Sequence, residues 1–485
     1  MKIGFVISLC LICVCTVSAQ ETFFCKGFSI EGNTAFSDKV VEDVLKDYSD
    51  RELKPDDLFD VREIVSKLYL ENGYITSIAI IPDQQVKDGV VKIQIREGQI
   101  SRVNVQSNWL RPSYFESRLK TEPLNAFTIE KQLRLIRQSP LVDQIEARLY
   151  PDLEPGKAIL DVRAVEAQPF YARVGVSNHN APSVGAYRGE VQLKHDNLTG
   201  FGDSIKAEYG LTEGLDDYSL DYRIPITKRD TTLALSFDRN EAEVTEEPFD
   251  ALEITNESNR YGFDVRHPVS KNLDSELGIA IGYERAESRT RLLGEPFDFS
   301  DYSKSGEYDL DIIRLTQDWV KRWSDKVFAV ESQIDLNEDY TRWLVQSQFL
   351  YQLKDSQLAL RCDFQIAGSL PPSERFSIGG HDTVRGYREN TLTTDSGVIG
   401  SLEWRIKIPL FDQLNFVSFF DWGQGYSEGG NPDINTLSSV GFGLVFDVWK
   451  FHGNFYWGIP LKEIDYEKWD LQNDGVHFSL SADLL

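Results

Sequence analysis

Methionine, cysteine and positive charge are what this 485-residue chain has least of. Its one methionine is the initiator, and three of its five cysteines (Cys10, Cys13, Cys15) fall within the first nineteen residues. The two that remain, Cys25 and Cys362, cannot build a disulfide framework and read as lone thiols. Lysine and arginine number 51 against 77 aspartates and glutamates. Binding of phosphate backbones needs a basic face, so a nucleic-acid partner is excluded. After residue 19 there is no run of eighteen apolar residues, which excludes a membrane helix. It leaves a membrane barrel open, because the signal of each barrel strand is only weak alternation. The six histidines (179, 195, 267, 381, 452 and 477) contain no i, i+4 pair for zinc. His381 reads as a loop donor rather than a ligand. No G-x-S-x-G and no C-x-x-C occurs after residue 19. "GFSIEGNT" (27–34) approaches a nucleotide loop, but Asn33 stands where lysine is required, and strand and turn is the simpler reading. Glu307, Asp309 and Asp311 could hold calcium weakly, yet a solvated acidic loop suits them better. No enzyme activity, cofactor or metal is expected.

What is present falls into three parts. Lys2, the apolar run Ile3 to Val17, and Val17 and Ala19 at minus three and minus one spell an export signal over 1–19. The run is too short for a membrane span. From Phe28 to about Glu166 the periods are mixed. "FSIEGNT" alternates and ends in a turn. Ser37 or Asp38 can cap a helix to about Tyr48. Pro55 and Asp56 open a second helix to about Asn72, with Leu58, Val61, Ile64, Val65 and Leu68 on its buried face and Gly73 stopping it. "YITSIAIIP" and "GVVKIQIRE" read as a strand pair. The order strand, helix, helix, strand, strand then repeats over 100–166. Two α+β (βααββ) units are therefore expected, at 27–98 and 99–166.

From 169 to 485 the helical period vanishes and period two persists. "QLALRCDFQIAG" sets Leu358, Leu360, Cys362, Phe364 and Ile366 against Arg361, Asp363 and Gln365. A soluble sandwich would also alternate. An exported chain with this much alternation and 20 Tyr, 28 Phe and 9 Trp points instead to a transmembrane antiparallel β-barrel. At ~9–11 residues per crossing, sixteen strands would take about half of the segment. The acid-rich stretches 241–259 and 294–311 read as long outer loops. One stretch stands apart: "SIGGHDTVRGYREN" (377–390). Gly379, Gly380 and Gly386 permit backbone angles closed to other residues, and Arg385, between Val384 and Gly386-Tyr387, is a permanent cation with a planar fork of donors. By itself Arg385 reads more simply as a solvated turn residue.

Several ordered motifs resemble one family. Gly73-Tyr74, the Asp88-Gly89 turn, "HDNLTGFGDS" (195–204), "GGHDTVRGY", "GSLEWRIKIP" (400–409) and "FFDWGQGY" (419–426) together resemble the two-partner-secretion outer-membrane transporters. These are the TpsB family of haemolysin secretion/activation proteins (ShlB/FhaC/HecB-like). They belong to the superfamily that also holds the outer-membrane protein assembly factors. The resemblance implies two POTRA domains ahead of the barrel. It also implies a loop folded into the barrel, with Arg385 pairing with Asp421 of the F-x-D-x-G strand. Phe419 and Gly423 complete that strand motif. Pattern agrees: Leu414, Phe416, Phe420 and Trp422 face one way, so Asp421 faces the lumen, and Gly423 leaves room beside it.

Implied too are an outer-membrane location in a Gram-negative-type bacterium, periplasmic POTRA domains, contact with outer-membrane lipid and a monomer. The implied partner is an unfolded, exported, large β-helical exoprotein of adhesin or haemolysin type, with periplasmic chaperones as further candidates. An exposed sheet edge can take such a client as an added strand, and Tyr74, Ile78 and Ile80 form the candidate edge. Alternatives are a barrel-assembly factor and a small-molecule porin. Two departures from the family pattern stand out. The expected N-terminal plug helix has no counterpart, and the chain ends in "FSLSADLL" rather than an aromatic residue.

Overall fold

The computed structural model describes residues 22–409, 411–427, 434–466 and 468–485. The export signal expected over 1–19 lies outside the described residues. In the N-terminal part, β1 (Phe23–Cys25), β2 (Gly27–Glu31), α1 (Asp38–Val44), β3 (Arg51–Leu53), α2 (Asp57–Glu71), β4 (Ile78–Ile80) and β5 (Val90–Arg96) come first. They are followed by β6 (Gln99–Gln106), α3 (Pro112–Leu119), α4 (Ala126–Arg137), β7 (Val142–Pro151) and β8 (Lys157–Glu166). Strand β5 is central in its sheet, with β2 parallel on one side and β4 antiparallel on the other. Helix α2 covers this sheet. Val61, Val65 and Tyr69 interleave with Ala79, Ile93 and Ile95, while Leu58, Ile64 and Leu68 are half-buried. The stripe is thus centred on the i, i+4, i+8 line of Val61. Tyr69 completes it because its hydroxyl finds partners: it donates to Asn33 at 2.7 Å and to Glu97 at 3.1 Å. Burial and the Glu97 carboxylate push the Tyr69 phenol up.

Three expectations need correcting here. The pair β1–β3 was not anticipated; three residues are too few to show a period, and the pair is held by Cys25 and Leu53 packing on Val91. The first helix stops at Val44 and tightens into a 3₁₀ turn over Lys46–Tyr48. "YITSIAII" is not one strand. The Tyr74 N–H closes a turn onto Tyr69, and the ring packs against Phe36 at 5.5 Å and Tyr69 at 5.6 Å. Tyr74 therefore belongs to the core, and only Ile78–Ile80 forms the edge.

The C-terminal part opens with β9 (Phe170–Ser177), β10 (Arg188–Asp196), β11 (Ser204–Leu211), β12 (Leu215–Pro225), β13 (Thr232–Glu243), β14 (Thr255–Lys271) and β15 (Ser275–Leu292). After the two-residue β16 (Glu295–Pro296) come β17 (Glu307–Arg322), β18 (Lys326–Leu336), β19 (Thr341–Gln352) and β20 (Ser356–Ala367). A short hairpin, β21 (Phe376–Ile378) with β22 (Leu392–Thr394), precedes β23 (Ser396–Ile408), β24 (Phe411–Tyr426), β25 (Thr436–Val448), β26 (Phe451–Pro460) and β27 (Val476–Asp483). Leaving aside β16, β21 and β22, sixteen antiparallel strands form a closed barrel, which β27 completes by pairing Ser479–Asp483 with β9.

Closure leaves no free sheet edge, so a lipid-facing backbone has all its polar groups paired. Alternation then separates two faces. Leu402, Trp404, Phe420, Phe442, Phe455, Trp457 and Leu480 lie exposed on the outside. Asp335, Asp363, Asp421 and Gln365 are buried inside. Strands β14, β15 and β17 run 17, 18 and 16 residues, well beyond the ~9–11 needed for a crossing. Apart from the two-residue β16, the acid-rich stretches are strand only at their ends, at 241–243, 255–259 and 307–311, while 244–254 and 293–306 fall between the long strands. Arginines facing the carboxylates make this possible: Arg239 meets Glu241 and Glu257, and Arg285 meets Asp309 at 2.8 Å. Opposite charges placed across a strand pair favour the pairing. Cys25 is buried and Cys362 exposed, both as free thiols.

Placing a cation in the outer belt should be costly. Phe420→Arg is expected to destabilise the barrel by about 2–4 kcal/mol, read from urea unfolding in lipid vesicles. Gln348→Arg, on the lumen side, should leave the midpoint nearly unchanged.

Candidate functional site

The connection between β20 and β23 (368–395) folds into the barrel interior. Its hairpin base is apolar: Phe376, Ile378 and Leu392 pack with Val384, Tyr387, Ile399 and Leu437. Beyond that base the chain reverses at Gly379 (φ 110°) and Gly380 (φ 104°) and turns again at Gly386 (φ 94°). L residues avoid such angles, which is why these positions are glycine. The turns carry Arg385 onto the inner wall.

The wall meets Arg385 with acceptors for four of its five guanidinium N–H groups. Nε donates to Asp421 Oδ2 and Nη2 to Asp421 Oδ1, both at 2.8 Å. The backbone N–H of Arg385 donates to the same carboxylate at 3.1 Å. Nη1 reaches Glu403 at 2.5 Å and Nη2 reaches the Ser401 hydroxyl at 3.2 Å. Ser401 in turn donates to Asp421 at 2.6 Å. The guanidinium lies 3.7 Å from the centre of the Phe419 ring and 4.8 Å from that of Tyr456. Asp421 is fully buried and Arg385 4% exposed. Breaking such a pair on one side costs ~3–5 kcal/mol, because the charge left behind has lost its water as well as its partner. The pair is therefore better suited to fixing where the loop sits than to adding stability. Beside it lies a cavity of about 230 Å³ lined by Arg361, Asp382, Glu403, Arg405 and Tyr456 among others.

The other residues singled out in the sequence lie around this contact. Val384 is buried beside Gly423, where a β-carbon would come within 2.5 Å of Ile378 and 3.1 Å of Val384. Gly423 thus makes room for the loop. The Tyr387 hydroxyl donates to the carbonyls of Ser438 and Lys462, each at 3.0 Å. Gly386 sits backbone to backbone on Gly458, and its N–H donates to His477 at 3.3 Å. Elsewhere, in β4, Ile78 is exposed, Ala79 buried and Ile80 half-buried. Glu307, Asp309 and Asp311, weighed above for calcium, face Arg289, Arg285 and Tyr283. No cluster of metal-ligating side chains occurs among the described residues.

Sequence reasoning did not place Glu403, Ser401, Tyr456 or His477 at this site. For the first two a signal existed. In "GSLEWRIKIP" Leu402, Trp404 and Ile406 alternate outward, so Ser401, Glu403 and Arg405 must point in. Tyr456 and His477 come from strands whose register against β24 is set by closure, which no local pattern reveals.

Together the fold and this loop define a class: an outer-membrane β-barrel protein with N-terminal POTRA-type domains. Comparison with known proteins gives the family. The model of the haemolysin secretion/activation protein family ShlB/FhaC/HecB matches residues 156–446, and that of the ShlB-type POTRA domain matches 23–98. The chain belongs to that family, the transporters of two-partner secretion. It is similar to the heme/hemopexin transporter protein HuxB of Haemophilus influenzae, 24% identical over 83% of this chain and 76% of the relative. It is also similar to the outer membrane transporter CdiB of Dickeya dadantii, 22% identical over 79% of this chain and 72% of the relative. Among solved structures, CdiB from Escherichia coli superposes with a TM-score of 0.74 at 16% identity, covering 97% of this chain and 92% of that one. BamA from Haemophilus ducreyi lacking POTRA domains 1–3 superposes with a TM-score of 0.59 at 13% identity, covering 95% and 100%. Likeness at these identities shows a shared fold.

The seating of the loop on Gly423 can be tested directly. Gly423→Val should displace Ile378 and Val384 and lift the loop tip. Trypsin applied to the folded protein in detergent is expected to cut after Arg385 in the variant and to spare that bond in the parent.

Proposed function

We propose that this protein is an outer-membrane pore that passes one exported, unfolded partner protein to the cell surface. We further propose that the 377–390 loop closes it. The observation that carries this reading is the buried contact of Arg385 with Asp421 inside a closed barrel. A loop that fills the lumen must shift for a chain to pass. A loop whose hairpin pairs with itself and not with the barrel strands can shift without unfolding the barrel. The POTRA-type units, taken as 27–98 and 99–166, would receive the client on the periplasmic side. The β4 edge, with Ile78 exposed, suits addition of a client strand through main-chain hydrogen bonds. The sequence offers no nucleotide loop, so folding of the emerging client outside the cell is the proposed driving force. The client proposed is a large β-helical exoprotein kept unfolded by periplasmic chaperones. The names of HuxB and CdiB agree in kind: each is called a transporter.

A second reading, insertion of other barrels into the outer membrane, draws on the fold shared with BamA. The two readings part on deletion of the gene. Export predicts loss of a single secreted protein, and assembly predicts loss of many barrels. A third, a small-molecule porin, would show sugar flux through the resting protein in planar bilayers.

For the export reading, the decisive variants are Arg385→Asp, Asp421→Arg and the pair together. Each single reversal should cost the seated loop about 3–5 kcal/mol and lower release of the co-expressed client into the medium. The double reversal should restore release in part. Release unchanged in all three would rule the latch out.

A further inference from the structure

The same loop carries a second buried charge, of opposite sign, that the Arg385 contact does not involve. Pro372–Glu374 form a 3₁₀ turn on the loop's first leg, and the Glu374 side chain is 1% exposed. Its carboxylate meets Arg342 at 2.8 Å, Arg260 at 2.9 Å and Arg314 at 3.8 Å. These arginines stand on β19, β14 and β17. They also hold two carboxylates of the wall. Glu284 pairs with Arg260 at 2.8 Å and with Arg314 at 2.7 Å. Asp335 pairs with Arg342 at 2.8 Å and with Arg314 at 3.6 Å. Counting these direct ion pairs, the wall supplies three cations and two anions, and Glu374 supplies the third anion.

Around Arg385 the balance is reversed. The wall supplies Asp421, Glu403 and Arg405, the last paired with Glu403 at 2.6 Å, so two anions face one cation until the loop adds Arg385. Each sector of wall is thus one charge short of neutrality, and one loop supplies both missing charges with opposite signs. Buried charge left without a partner is costly, so each sector selects its own part of the loop. The first leg has further ties. Arg342 and Gln365 both donate to the Glu374 carbonyl at 3.1 Å, and Gln365 also donates to the carbonyl of Asp395 on the returning leg at 2.9 Å. The positive-φ glycines 379, 380 and 386 lie between this root and the tip, or within the tip itself.

We propose that Glu374 is a positioning residue for the loop. Its carboxylate fills the arginine receptacle on β14, β17 and β19, and so fixes the root from which Arg385 reaches Asp421. The inference rests on the reading that the loop closes the pore, and deepens it by assigning the loop two anchors of opposite charge.

The test is the resting conductance of the purified full-length protein in planar bilayers, with heat-modifiable electrophoretic mobility as the check that the barrel is folded. Glu374→Ala, and Glu374→Gln should the alanine variant not fold, is expected to raise resting conductance several-fold. A disulfide can then replace the lost anchor. A β-carbon on Gly425 would lie 3.1 Å from that of Thr394, so the two strands need part by only a few tenths of an ångström to reach the ~3.5–4.5 Å span of a bridge. With Cys362→Ser as background, oxidised Thr394→Cys/Gly425→Cys added to the Glu374 variant should return conductance to the parent level, and reductant should reopen it. Restored closure marks a positional role that a general loss of stability would not reproduce. Parental conductance in both Glu374 variants, or a leak that the bridge leaves unchanged, would overturn the proposal. If Arg385→Ala stays closed while Glu374→Ala leaks and is rescued, the Arg385 latch fails and the Glu374 anchor stands.

Discussion

A guanidinium that has left water must be met by carboxylate, and the inside of this barrel is arranged around that constraint. Arg385 loses nearly all its hydration on entering the lumen, and Asp421, Glu403 and Ser401 accept hydrogen bonds in place of water. The dependence is mutual. Without the loop, Asp421 keeps only the Ser401 hydroxyl among these partners. Without Asp421, Arg385 is a cation stacked on two aromatic rings with one carboxylate left. Because a buried pair contributes little over an apolar one of the same shape, its presence makes sense as a means of fixing position. A hydrophobic plug could be equally stable, but it would be less particular about where it rests and would leave nothing to switch.

That constraint reaches back into the fold. A carboxylate can face inward at 421 only because Phe420 and Trp422 face lipid, and that alternation is enforced along the whole of β24 by pairing with β23 and β25. Slipping β24 by one residue would send Asp421 into hydrocarbon and Phe420 into the lumen. The sixteen-strand closure therefore sets the chemistry of the site, since it decides which side chains of β23, β24, β26 and β27 can meet at one point. The glycines complete the fit. Gly423 and Gly458 are bare where the loop backbone and its apolar side chains press on the wall.

Much of this could be read from the chain. The change from mixed periods to period two near residue 169 separates the parts, and alternation alone assigns Asp421 to the lumen. Glycines 379, 380 and 386 announce a loop with unusual backbone angles. Other features were hidden for identifiable reasons. The acid-rich ends of β13, β14 and β17 look like loops until Arg239 and Arg285 are seen facing them, and such pairing is long-range. Tyr74 continues an apolar run into β4, yet a turn onto Tyr69 rotates it into the helix–sheet core. Glu374 follows prolines 371 and 372 and resembles any solvated loop acid; only the meeting of Arg260, Arg314 and Arg342 on three strands gives it a role. Chemistry that depends on one strand can be read locally, while chemistry assembled from several strands has to wait for the register.

The central claim is that the loop tip rests on the wall at Gly423 and leaves it during transport. Val384→Cys/Gly423→Cys, with Ile378→Ala to make room for the new β-carbon and Cys362→Ser as background, tests this in intact outer membranes. The account predicts that the disulfide forms without added catalyst, that client release stops while it is oxidised, and that reductant restores release. A bridge that forms quantitatively while release continues at the parental rate would contradict it.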